Sequence, residues 1–128
     1  AGIKTALVTS KNATEVASFL SRFSARDAVD TTVCASDVDQ PKPHAESAIL
    51  ACSRLGVSPD RAAFVGDSVF DLQCAHAAGI ATSVAVTYGG GTETALRAEQ
   101  PSRVFPTPEA LRDWAQNEVA TLCLDART

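Results

Sequence analysis

Short runs of branched apolar residues alternate along this chain with segments whose apolar residues recur at helical spacing. Ile3 to Val8, Thr31 to Ala35, Ala62 to Val65 and Thr82 to Val86 read as strands, with Val104-Phe105 as a short fifth. Between them lie helices. One is capped by Asn12, with Glu15 at its third position, and carries Val16, Phe19, Leu20 and Phe23 on one face. The next is marked by Ala45, Ala48, Ile49, Cys52 and Leu55 and stops at Gly56. A third runs from Val69 to Ala78, begun by Ser68 and ended by Gly79. A short helix over Glu93 to Ala98 follows the flexible loop Gly89-Gly90-Gly91. Thr107 and Pro108 open the last helix, with Leu111, Trp114, Ala115, Val119 and Leu122 as its buried stripe. Strands and helices in this order build βα units and a parallel sheet, an α/β class. With 128 residues and no linker or repeat, residues 1–128 are expected to form one domain or a piece of one.

A net charge of −4 with no basic run argues against nucleic acid or an anionic membrane as partner. No apolar stretch is long enough to span a bilayer. Cys34, Cys52, Cys74 and Cys123 follow no zinc-binding or Cys-x-x-Cys spacing. Among apolar neighbours they read as small core residues of a protein kept in a reducing, cytoplasmic compartment. The chain contains no methionine and opens at Ala1-Gly2-Ile3, almost directly on a strand. Processing, or an upstream segment, is the expectation that follows.

The chemistry concentrates in Phe64-Val65-Gly66-Asp67-Ser68-Val69-Phe70-Asp71. Two carboxylates four residues apart stand where a strand ends and a helix begins, the place where open α/β sheets hold metals and phosphates. Gly66 is expected to let the chain turn tightly there. Asp67 has the character of an oxygen ligand for magnesium, which keeps several waters and needs one or two carboxylates. Asp71 is the third residue of the helix capped by Ser68. It serves either that cap and the helix dipole or the metal. Thr9 and Ser10 end the first strand ahead of a helix, a position suited both to a phosphate oxygen and to an ordinary turn. Lys42 is flanked by Pro41 and Pro43, which hold it in an extended segment as a fixed positive charge for a phosphate or a carboxylate. His44 and His76 are poor catalytic candidates, and Gly89–Gly91 lacks the Lys-Ser/Thr of a P-loop.

In order and spacing, Val8-Thr9-Ser10-Lys11, Lys42-Pro43, Val65-Gly66-Asp67-Ser68-Val69-Phe70-Asp71 and Ala77-Ala78-Gly79 resemble the haloacid dehalogenase-like hydrolases, in particular their phosphoglycolate phosphatase-like branch. The resemblance runs to about Glu109. It implies a Rossmann-like three-layer sandwich and a magnesium-dependent phosphatase acting on a small phosphorylated metabolite through a phosphoaspartyl intermediate. It also implies that Thr9 bonds the phosphoryl group with Ser10 close by. Lys42 would neutralise nucleophile and phosphate, Asp67 would bind Mg2+, and Asp71 would support that site.

The family's Asp-x-Asp nucleophile motif has no counterpart on a strand here. Asp37-Val38-Asp39 lies in a polar loop, and Leu122-Cys123-Leu124-Asp125 lacks the second acid. The first, central strand and the cap that follows it are therefore expected to be absent from this chain, and the isolated chain is expected to be inactive. The strands at 3–8 and 62–65 would then either pair directly or keep unpaired edges that favour association. A non-catalytic binding or assembly module on the same fold is the alternative. A phosphoacceptor domain of the receiver type fits less well, because Thr9-Ser10-Lys11 stands where its acidic pair belongs.

Overall fold

In a computed structural model of the chain, which describes residues 3–22 and 26–119, five parallel strands alternate with five helices. The order is β1 (Ala6–Val8), α1 (Ala13–Arg22), β2 (Thr31–Val33), α2 (Glu46–Leu55), β3 (Ala63–Gly66), α3 (Val69–Ala77), β4 (Thr82–Val86), α4 (Glu93–Ala98), β5 (Arg103–Phe105) and α5 (Pro108–Trp114). The fold is α/β and Rossmann-like, and its sheet comes in two small pieces. β1 pairs with β2, and β3, β4 and β5 pair in that order, all in parallel. Among the described residues β1 and β3 do not pair with each other, so of the two outcomes open for these strands the unpaired edges are the one observed.

Local signals set the element ends. The Asn12 side chain accepts the Glu15 N–H at 2.9 Å at the start of α1. Gly56 takes a left-handed φ of 71° after α2, and Gly79 one of 77° just beyond α3, a conformation with little penalty only for glycine. The Thr107 hydroxyl accepts the Ala110 N–H at 3.1 Å, with Pro108 in the first turn of α5.

The strands at the amino-terminal side are shorter than expected. β1 begins at Ala6, and β2 ends at Val33, where the chain turns into a single 3-10 turn at Ala35–Asp37. Asp37 causes that turn. Its carboxylate accepts the Cys34 backbone N–H at 2.8 Å and thereby closes the loop on itself.

One core lies between α2, α3 and the start of β4, built from Ala48, Cys52, Cys74, Ala75, Ala78 and Ile80. A second, built on Leu72, Ala85 and Leu96, joins α3, β4 and α4. Cys34, Cys52 and Cys74 are buried free thiols, the small core residues the sequence suggested, and Cys123 lies outside the described residues.

The expected buried stripe of the last helix is not found. None of the residues of α5 is buried, and a π turn takes over at Ala115. Trp114 packs instead on Phe105 of β5, ring centres 5.8 Å apart. The side chains of Phe23, Val119 and Leu122 lie outside the described residues.

Candidate active site

Asp67 and Ser68 follow β3 directly, and Ser68 caps α3. Asp71, one turn into the helix, is 6% exposed, and its carboxylate is fully engaged. One oxygen, Oδ2, accepts the Asp67 N–H at 3.1 Å, the Ser68 N–H at 3.2 Å and the Ser68 hydroxyl at 3.3 Å. The other, Oδ1, accepts the Lys42 ammonium at 2.6 Å. This is a capping box with a lysine added to it. Lys42, 16% exposed at its side chain, thus reaches Asp71 from the loop ahead of α2, at a cis Lys42–Pro43 peptide.

Gly66 makes this arrangement possible, for a reason other than the tight turn its identity suggested. Its φ is not in the left-handed region. A Cβ at position 66 would stand 2.2 Å from Asp71 Cβ and 2.6 Å from Asp71 Oδ2. Only a residue without a side chain lets the end of β3 lie against that carboxylate.

Asp67 is the opposite case. It is exposed, forms no ion pair among the described residues, and its Oδ2 accepts one long hydrogen bond, from Gly90 N–H at 3.3 Å. Two adjacent carboxylates therefore have different roles open to them. The Asp71 carboxylate is used up inside the protein, whereas that of Asp67 is free to bind something.

Thr9 and Ser10 stand at the carboxyl end of β1. The Thr9 N–H donates to the Val33 carbonyl at 2.9 Å, and its hydroxyl accepts the Lys11 N–H at 3.1 Å. Ser10 is exposed. Among the described residues no hydrogen bond links either of them to Lys42, Asp67 or Asp71. The structure thus joins three of the five candidate residues directly and leaves the other two on the separate strand pair.

The weaker candidates have structural partners. His44 Nδ1 accepts the Glu46 N–H at 3.2 Å, and His76 Nε2 lies 3.1 Å from the hydroxyl of buried Ser83. Asp37 is bound to Cys34 and lies 3.4 Å from Arg54. The backbone N–H and thiol of Cys34, together with the Arg54 guanidinium, lower its pKa from 3.8 to about 2.

The loop after β4, flexible by its glycine content, has a defined place. It lies against Asp67, with the Gly91 N–H donating to the Asp67 carbonyl at 2.9 Å. The signal that could have found it is register. Gly66 pairs with Ala85, so whatever follows Val86 must flank Asp67.

Residues 1–86 match the family model described as haloacid dehalogenase-like hydrolase. The chain belongs to the haloacid dehalogenase-like hydrolases. Phosphoglycolate phosphatase of Salmonella paratyphi A is 36% identical over 104 residues, which cover 81% of this chain and 41% of that enzyme. A solved structure from Bacteroides fragilis, assigned to haloacid dehalogenase-like hydrolases, superimposes with a TM-score of 0.79 at 31% identity. The match covers 86% of this chain and 52% of that one. One from Haemophilus somnus, predicted to be a phosphoglycolate phosphatase, gives 0.77 at 28% identity over 87% of this chain and 49% of its own. The chain thus spans less than half the length of the curated relative it matches and about half of these two structures. Within the family, its match includes the Thr9 strand, the Lys42-Pro43 segment and the Gly66-Asp67 turn.

Proposed function

We propose that this chain supplies the lysine and metal side of a magnesium-dependent phosphatase site for a small phosphate monoester, with the attacking aspartate lying outside these 128 residues. The observation that carries the reading is the pairing of a closely bonded Asp71–Lys42 couple with an exposed Asp67 carboxylate just past the end of β3. Asp71 holds the Lys42 ammonium in place, so that its remaining N–H donors and its charge are presented without side-chain search. Thr9 and Ser10 contribute their hydroxyl groups from the end of β1 for the phosphoryl oxygens.

Mg2+, when bound, would neutralise phosphoryl charge, and Asp67 would hold it directly or through water. The donor set fits such an ion in a limited way. Among the described residues there is no cluster of three or more acidic, histidine or cysteine ligands, and Asp67 is the one carboxylate of the pair left open. A hard cation that keeps most of its waters is suited to one protein carboxylate. The phosphoaspartyl chemistry requires an acidic residue this chain does not place on a strand. Hydrolysis of p-nitrophenyl phosphate by the chain alone is therefore expected at the background rate. The three buried free thiols support a reducing, cytoplasmic setting.

The test is direct. Manganese, as a paramagnetic stand-in for magnesium, should broaden the amide signals of Asp67–Asp71 and Gly89–Gly91 first, and Asp67→Asn should abolish that selectivity. Broadening spread evenly over the exposed carboxylates, unchanged by Asp67→Asn, would sink the metal reading.

The unpaired edges of β1 and β3 favour the assembly reading as a second role. Val65, on β3, is an apolar side chain 45% exposed. Sedimentation should show mass rising with concentration, and a monomer at all concentrations would remove that role.

A further inference from the structure

The three glycines at 89–91 are not equivalent. None of them has a left-handed φ, so conformational need does not explain any of them. Space explains two. A Cβ on Gly89 would lie 2.2 Å from Asp67 Oδ2, 2.5 Å from Asp67 Cβ and 2.7 Å from Asp67 Cγ. A Cβ on Gly91 would lie 2.4 Å from the Asp67 carbonyl oxygen. A Cβ on Gly90 would meet nothing within 4 Å, yet Gly90 is the residue whose N–H reaches Asp67 Oδ2.

The loop is also anchored at both ends. Ahead of it the Thr87 N–H bonds the Phe105 carbonyl at 3.0 Å. Behind it the Thr92 hydroxyl caps α4, and the position of a Gly91 Cβ lies 3.3 Å from fully buried Leu96. A strip of backbone pinned in this way cannot retreat from Asp67 without disturbing the second core.

We infer that Gly89 and Gly91 are positioning residues, which let the loop after β4 close on Asp67 and hold its carboxylate in a single rotamer, the one in which Oδ2 accepts the Gly90 N–H. Gly89 sets the side chain and Gly91 sets the backbone beneath it. The loop acts through Asp67. The inference rests on the proposal that Asp67 is the metal ligand, but the rotamer is a property of the metal-free chain and is measured there.

The experiment combines side-chain couplings with a mutant cycle in the full chain. Three-bond couplings should report a single Asp67 χ1 rotamer in the wild type and in Gly90→Ala, and a redistributed one in Gly89→Ala. Gly89→Ala should lower stability when Asp67 is present and have little effect when Asp67→Gly has removed the side chain it strikes. Gly91→Ala should lower stability in both backgrounds, because its conflict is with the backbone of residue 67. The cycle still reads out if Gly89→Ala alone does not fold, since the double variant then regains folding. Manganese broadening at residues 67–71 should need several-fold more metal in Gly89→Ala than in Gly90→Ala. Wild-type Asp67 couplings in Gly89→Ala, or equal destabilisation by it in both backgrounds, would overturn the inference. No selective broadening in the wild type, with the couplings and the cycle as expected, would instead overturn the metal reading alone.

Discussion

The two strand groups are made of the same βα units but differ in how completely their residues are satisfied. In the β3–β5 group, Leu72, Val84, Ala85 and Leu96 are fully buried, and the site carboxylates are bonded or flanked on several sides. In the β1–β2 group every residue of β1 is only half-buried, and of the apolar residues of α1 only Val16 is buried while Phe19 is exposed. The difference teaches that the Asp71–Lys42 side of the site is held by contacts within this chain. The Thr9 side is shaped by local hydrogen bonds and presents apolar surface that its own residues do not cover.

The contrast should be largest at the ion pair. Asp71→Ala strands the half-buried Lys42 ammonium and leaves two backbone N–H groups without their acceptor. A loss of about 3–5 kcal/mol is expected, the scale for breaking a buried pair by removing one partner. Thr9→Ala removes one hydroxyl acceptor for Lys11 N–H and should cost about 1 kcal/mol. Urea unfolding of the two variants measures both, and equal losses would erase the distinction between the groups.

A smaller difference is expected in the packing. Leu72→Ala empties a fully buried site and should cost about 2–5 kcal/mol. Leu7→Ala in half-buried β1 should cost about 1–2 kcal/mol, since much of that side chain remains in water in the folded state. If a partner covers the β1 edge at high protein concentration, the Leu7→Ala loss should grow with concentration and the Leu72→Ala loss should not.

What was legible in the sequence follows the same division. β4 and α4 fall where periodicity put them, and Asn12, Ser68 and Thr107 cap the helices they were read to cap. Those signals are local, and local chemistry decides them. The site was legible as residue types: an aspartate at a strand end and a lysine between prolines. It was not legible as contacts. Nothing within four residues of Lys42 says that it meets Asp71, because that pair closes 29 residues of chain. Likewise the glycines at 66, 89 and 91 read as turn or loop formers, when what they provide is room for a side chain or backbone from another segment. The failure at α5 has a different cause. Its apolar residues recur at helical spacing, but the α-helix stops at Trp114, where a π turn shifts that spacing, and Trp114 packs on Phe105 of the three-residue β5.

Acid should separate the groups most weakly, and through Asp37 of the turn after β2. Its folded pKa lies at about 2, below its ordinary 3.8, held down first by the Cys34 backbone N–H, then by the Cys34 thiol and by Arg54. A depressed carboxyl pKa stabilises the folded state fully above the ordinary value, and the contribution is lost as pH falls through 3.8 toward 2. Asp37→Asn should therefore be less stable than the wild type at neutral pH, and the gap should close as the pH is lowered through that window. The effect should be small, because Arg54 and Asp37 both face solvent, where ion pairs contribute little. Urea midpoints of the two proteins at neutral pH and at successive acid steps measure it. A gap that stays constant down to pH 2 would mean that Asp37 holds the turn by shape alone, and that charge plays no part in fixing the weaker strand group.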